Sequence, residues 1–209
     1  MILLLIIRIC MIFNSYTSTI FSTSITCMNQ LKCDNNIEIA FIGYSNVGKS
    51  SMINFLTNQH KLARVSKTPG STRTINFFKI AKKKYLVDLP GYGYSNFSQN
   101  LKNTLKKLII KYLIYRKSLK AVVLLVDIRR SFRKEDYTII NILNKKNLPI
   151  LITLTKSDKF SKSIRERKMF KIKKECLLIH KKVSVILFSS TLHLGIFDVK
   201  NFLSTYYNT

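Results

Sequence analysis

The run Gly43-Tyr-Ser-Asn-Val-Gly48-Lys49-Ser50 fits the pattern G-x-x-x-x-G-K-[S/T], and residues of these types at this spacing suit one kind of chemistry. Successive backbone N–H groups and the start of a helix surround a phosphate. Lys49 neutralises the outer oxygens of a nucleoside triphosphate, and the Ser50 hydroxyl joins the shell of a Mg2+ ion. Farther along, Asp88-Leu-Pro-Gly91 ends an apolar run. A carboxylate there can hold Mg2+ through water, while the Gly91 N–H reaches the γ-phosphate. Thr155-Lys156-Ser157-Asp158 closes a third apolar run and chooses the base. Its carboxylate accepts two hydrogen bonds from the edge of guanine; adenine offers no such donor pair and would leave the charge unpaired. The stem of Lys156 can lie along the base, and the backbone N–H groups of Ser189 and Ser190 would stand near guanine O6.

These residues need a scaffold that brings distant loops to one edge. From Ile37 onward the chain alternates strand, loop and helix. Strands are expected at 37–42, 75–80, 85–88, 121–126, 150–154 and 183–188, and helices at 49–57, 99–116, 134–144, 163–180 and 197–206. The link Ala81-Lys-Lys-Lys84 is tight, so the second and third strands run antiparallel. Ser98 is suited to cap the second helix. Residues 121–126 form a continuous apolar run, as expected of a strand buried on both faces. The pattern predicts an α/β fold with a six-stranded, mostly parallel sheet, one antiparallel strand and helices on both faces. All six glycines fall in loops after or between the expected strands, where a chain wraps a ligand.

Composition narrows the class. The 209 residues, 46% hydrophobic, can form one domain with a real core. No apolar run approaches the roughly 20 residues of a membrane span. The net charge of +26, from 36 Lys and Arg against 10 Asp and Glu, favours a polyanionic partner. Abundant Lys, Asn, Ile, Phe and Tyr also fit AT-rich coding, which accounts for part of that excess. Cys10, Cys27, Cys33 and Cys176 have no C-x-x-C spacing and the three histidines are scattered. A zinc site or disulfide framework is therefore not expected, and a reducing cytoplasm is. Residues 1–33, apolar and then rich in Ser and Thr, are expected to be a loosely ordered leader or the product of a start set too early, ahead of a domain at 34–209.

With its motifs in this order the chain resembles the EngB family of small bacterial GTPases, over about 37–206. The similarity is carried by Gly43 to Ser51, Val65-Ser-Lys-Thr-Pro-Gly70, Ile75-Asn-Phe-Phe78, Asp88-Leu-Pro-Gly-Tyr-Gly-Tyr94, Asp127-Ile-Arg129 and Thr155-Lys-Ser-Asp-Lys159. The resemblance implies a Ras-like P-loop domain that binds GTP or GDP with Mg2+. It also implies a role in assembly of the large ribosomal subunit and in normal cell division and septation. The nucleotide contacts implied are Gly43, Tyr44, Ser45, Asn46, Val47, Gly48, Lys49, Ser50 and Ser51; then Gly70, Ser71, Thr72, Arg73 and Thr74. Asp88, Leu89, Pro90 and Gly91 follow, with Thr155, Lys156, Ser157, Asp158, Phe188, Ser189 and Ser190 around the base. Mg2+ would be held by Ser50, Thr72 and Asp88, and catalysis would fall to Asn46, Lys49, Thr72 and Gly91. Two positions depart from the family: it usually has Arg where this chain has Tyr44 and Ser71.

Ras-like enzymes orient the attacking water with a Gln after the D-x-x-G glycine. Tyr92 stands there instead, so slow intrinsic hydrolysis is expected, with Asn46 positioned to hold a K+ beside the phosphates. Lys102, Lys106, Lys107 and Lys111 on one helix, and Lys162, Arg165, Arg167, Lys168, Lys171, Lys173 and Lys174 on another, suit contact with ribosomal RNA. The expected partner is the large-subunit precursor, the expected state a monomer with no stable membrane partner. The competing readings are a basic RNA-binding protein with a vestigial nucleotide site, and another GTPase of the same fold, for whose usual extra domains this length leaves no room.

Overall fold

The computed structural model describes residues 16–31, 35–64, 73–93 and 97–207. Its strands are β1 Ile20–Ile25, β2 Ile37–Gly43, β3 Ile75–Ala81, β4 Lys84–Asp88, β5 Leu119–Asp127, β6 Ile150–Thr155 and β7 Val183–Leu187. Its helices are α1 Lys49–Thr57, α2 Gln99–Tyr115, α3 Lys134–Lys145, α4 Lys162–Ile179 and α5 Ile196–Tyr207. Every helix and six of the strands lie where the hydrophobic patterning puts them, to within a residue or two. The Ser98 hydroxyl accepts from the Leu101 N–H at 3.4 Å at the start of α2.

The sheet order is β1-β3-β4-β2-β5-β6-β7. β2, β4, β5, β6 and β7 pair in parallel, whereas β3 is antiparallel to both of its neighbours. Successive residues of the central strands therefore serve opposite cores. Ala40 and Ile42 of β2, with Val122 and Leu124 of β5, meet α2, α3 and α4 through Leu108, Tyr112, Ile140, Leu143 and Cys176. Ile39 and Phe41, with Val123 and Leu125, meet α1 and α5 through Met52, Ile53, Leu56, Val199 and Leu203. Burial on both faces is why β5 reads as an unbroken apolar run.

One expectation needs correction: the sheet has seven strands, not six. The extra strand, β1, lies in the segment expected to be a loosely ordered leader, and within residues 16–31 that segment is packed against the domain. Ile25 and Tyr16 are each 3% exposed. The Gln59 amide after α1 donates to the carbonyls of Thr17 and Thr19 at 2.9 and 2.7 Å. β1 escapes sequence reading because five of its six residues are exposed; an edge strand with so little to bury shows no alternation. Residues 1–15 and 32–34 lie outside the described residues.

Candidate functional site

β2 enters the core and stops at Gly43, where a Cβ would meet the Leu125 carbonyl oxygen at 2.5 Å and Val47 Cγ1 at 2.9 Å. The chain then turns through 44–47 and reaches Gly48 in the left-handed region, with φ +107° and open space where a side chain would stand. Only glycine adopts this without strain. α1 begins at Lys49, so its unpaired N–H groups face the loop.

Lys49 and Asp88 lie near enough to attract each other electrostatically and are 9% and 2% exposed. Burial pushes the Asp88 carboxyl up to about 6, with Lys49 opposing the rise. Burial also lowers the Lys49 ammonium, against the pull of Asp88. Asp88 Oδ1 is buried and makes no hydrogen bond among the described residues. An ionisable oxygen in that position calls for a ligand. Leu89 is anchored by its N–H to the Phe41 carbonyl at 3.0 Å, and Leu89, Pro90 and Gly91 are buried.

The third loop is tethered to the first. The Thr155 hydroxyl donates to the Val47 carbonyl at 2.9 Å, and Lys156 Nζ donates to the Asn46 carbonyl at 2.9 Å. Ser157 fixes the turn by donating from its N–H and hydroxyl to the Phe188 carbonyl, at 3.2 and 2.9 Å. Asp158 receives the Ser189 hydroxyl at 2.8 Å and lies 3.3 Å from Lys159 Nζ. The Ser189 bond in particular holds Asp158 below the usual carboxylate range. A half-buried, ionised carboxylate is thus held on a loop bonded to the candidate phosphate loop.

The role expected of Ser189 changes. Its N–H donates to the Leu194 carbonyl at 3.1 Å, so it cannot also serve a base; Ser189 acts through its hydroxyl, and Ser190 remains as the backbone donor. Thr74 is engaged at the β1–β3 pair, donating to Asn76 Oδ1 at 2.9 Å, and the Arg73 guanidinium sits 5.3 Å from the Phe97 ring. Ser50 is half-buried, and Ser51 and Asn46 are exposed. Gly70, Ser71 and Thr72 lie outside the described residues.

Three further groups of side chains matter, in pairings that the motifs do not give. Asp127 accepts from Lys156 Nζ at 3.1 Å and from Arg129 Nε at 2.9 Å. Burial alone would raise its pKa, but the bonds from Arg129 and Lys156 reverse this and hold it far below the ordinary value. The Asp127-Ile-Arg129 run was the available signal. The Tyr92 hydroxyl donates to Asp136 in the first turn of α3, and Asp136 Oδ2 caps that helix at the Arg133 N–H, 2.7 Å away. Tyr44 packs edge-on against Tyr92 with ring centres 5.9 Å apart, and the Arg133 guanidinium lies 3.7 Å from the Tyr44 ring centre. Tyr44 here occupies the place where an Arg is usual, as a platform for arginine from elsewhere in the chain. No sequence signal links Tyr92 to a residue 44 positions away.

The loops after β2, β4 and β6 thus share one rim at the C-terminal ends of parallel strands, the arrangement of a P-loop GTPase. A family model described as "50S ribosome-binding GTPase" matches residues 38–156. A probable GTP-binding protein EngB from Buchnera aphidicola subsp. Baizongia pistaciae is 40% identical over 195 residues, covering 93% of this chain and 86% of the relative. The corresponding Escherichia coli O157:H7 protein is 39% identical over 194 residues, covering 93% and 92%. A solved structure of a probable EngB superposes with a TM-score of 0.66 at 25% identity, covering 82% of this chain and 98% of that one. The chain belongs to the EngB family of GTP-binding proteins and is a GTPase.

Proposed function

We propose that this GTPase is a switch in assembly of the large ribosomal subunit, acting as a cytoplasmic monomer and needed for normal cell division and septation. The observation that carries the nucleotide half is the double tether from Thr155 and Lys156 to the phosphate loop, with Asp158 held beside it. Guanine on Asp158 then fixes where the phosphates meet Lys49. In the reaction, water attacks the γ-phosphorus, the bond to the bridging oxygen of GDP breaks, and inorganic phosphate leaves. Mg2+ fits the residues present: Asp88 has a buried oxygen without a partner, Ser50 supplies a hydroxyl, and Thr72 is the third candidate. When bound, the ion neutralises charge on the phosphate oxygens.

Slow intrinsic turnover is supported by Tyr92, whose hydroxyl is turned away to Asp136 where a Ras-type enzyme has a water-orienting Gln. Asn46 favours K+ assistance: it is exposed on the candidate phosphate loop, at φ 60°. The ribosomal half rests on the description of the matching family model and on the excess of positive charge. A vestigial nucleotide site is disfavoured, because Lys49, Asp88 and Asp158 are all kept in a chain with only 10 acidic residues. No helix among the described residues is long and apolar enough to cross a membrane.

The decisive measurement is affinity for GTP, GDP, ATP and xanthosine triphosphate in the wild type and in Asp158→Asn. The variant is expected to lose at least about ten-fold in GTP affinity and to gain preference for the xanthine base. Unchanged guanine preference would remove Asp158 from the site. Hydrolysis compared in K+ and Na+, with and without large-subunit precursor, tests the rest; equal rates throughout would sink both the K+ role and the partner.

A further inference from the structure

α4 carries a surface that nucleotide binding does not use. Cys176 is its one buried residue, and large apolar side chains point outward: Phe170 is 71% exposed and Leu178 85%. Arg167 stands three and four residues before the adjacent pair Phe170 and Lys171, that pair stands four and three before Lys174, and Leu178 lies four beyond, so the five share one side of the helix. Not every cation on α4 belongs to it. Lys168 turns inward, donating to the Ile128 carbonyl at 3.3 Å and lying 4.6 Å from the Phe160 ring centre. Of the two acids on the helix, Glu175 is engaged by the Tyr137 hydroxyl, leaving Glu166 on the outer side. The outward line is therefore strongly cationic, with an aromatic ring between its charges.

We infer that this face of α4 binds single-stranded RNA, with Phe170 stacking on a base while Arg167, Lys171 and Lys174 meet the flanking phosphates. The inference rests on the ribosomal-RNA partner proposed above and names the surface and the mode of contact. An acidic membrane would ask for cations and apolar residues on opposite faces of the helix; here they share one face. A helix that merely solvates the protein has no use for a ring exposed among ammonium groups. Aromatic rings among cations are the usual means of holding unpaired bases, because every base has a face to stack.

The test uses the full chain and a mixed-sequence RNA of about 12 nucleotides, with affinity followed from about 50 to about 300 mM salt. Phe170→Ala is expected to weaken binding about ten-fold at every salt concentration, leaving the slope of log affinity against log salt unchanged. Phe170→Trp should restore it. Lys171→Ala combined with Lys174→Ala should weaken binding and reduce that slope by about 1.4. GTP affinity should stay at the wild-type value in all three variants, which shows that the fold is intact. RNA binding by the wild type that ignores Phe170→Ala would overturn the stacking face while leaving the RNA partner standing. No RNA binding by the wild type would overturn the partner as well. Phe170-dependent binding to phosphatidylserine vesicles in place of RNA would assign the surface to lipid and overturn the inference.

Discussion

Asp88 and Lys49 are both desolvated by burial, and their mutual attraction does not compensate for it. Asp88 binds its proton more tightly folded than unfolded, so stability falls as pH rises from about 4 to the folded value of about 6. At neutral pH the ionised carboxylate is a net cost to the fold. Nucleotide-free Asp88→Asn is therefore expected to melt higher than the wild type at pH 7, with the gain gone below about pH 4; a lower melting temperature at pH 7 would show that Asp88 is not strained. Mg2+ held by Asp88 as proposed would need the ionised form, so Mg2+-dependent GTP affinity of the wild type should weaken as pH drops through about 6. Tyr92→Phe removes the donor to Asp136, a carboxyl that burial already raises. Chemical denaturation should register a loss of about 1–3 kcal/mol. The candidate site residues are legible in sequence because phosphate and guanine chemistry would demand fixed types at fixed spacing. Their supports, Tyr92 with Asp136 and Thr155 with Val47, join residues 44 and 108 positions apart, and no periodicity records such pairs.

α2 is fixed to the sheet by a polar knot as well as by its apolar stripe. Glu38 of β2, 1% exposed, accepts from the Tyr112 hydroxyl at 2.7 Å and from Arg116 through its Nε and Nη2. Arg116→Ala would leave a buried carboxylate short of its counter-charge, a loss of about 3–5 kcal/mol by denaturant titration; a loss under about 1 kcal/mol would mean that water reaches Glu38. Helices α2 and α3 and strands β5 and β6 can be read from sequence because each buries a stripe or a whole strand. β1 cannot, since it presents only Ile25 to the core. Ile25→Ala nevertheless should destabilise by about 2–4 kcal/mol, and a neutral result would remove β1 from the stable fold.

A net charge of +26 on 209 residues sets a condition on the whole domain. Like charges repel over a Debye length of about 10 Å at 0.1 M salt, and the compact state feels this more than the unfolded chain. Raising NaCl from about 0.05 to about 0.5 M should therefore raise the melting temperature of the nucleotide-free protein. A fall would mean that local ion pairs outweigh the repulsion.

The pairing of β1 with β3 joins residues at least 50 positions apart, as at Ile25 and Ile75. Protein synthesis is vectorial, so β1 leaves the ribosome well before its only partner exists. At ordinary elongation rates it waits on the order of several seconds. β1 precedes the other described strands in the chain yet docks only after the 43–48 loop and β3 have been translated, so the domain's outer margin is sealed after the candidate phosphate loop is made.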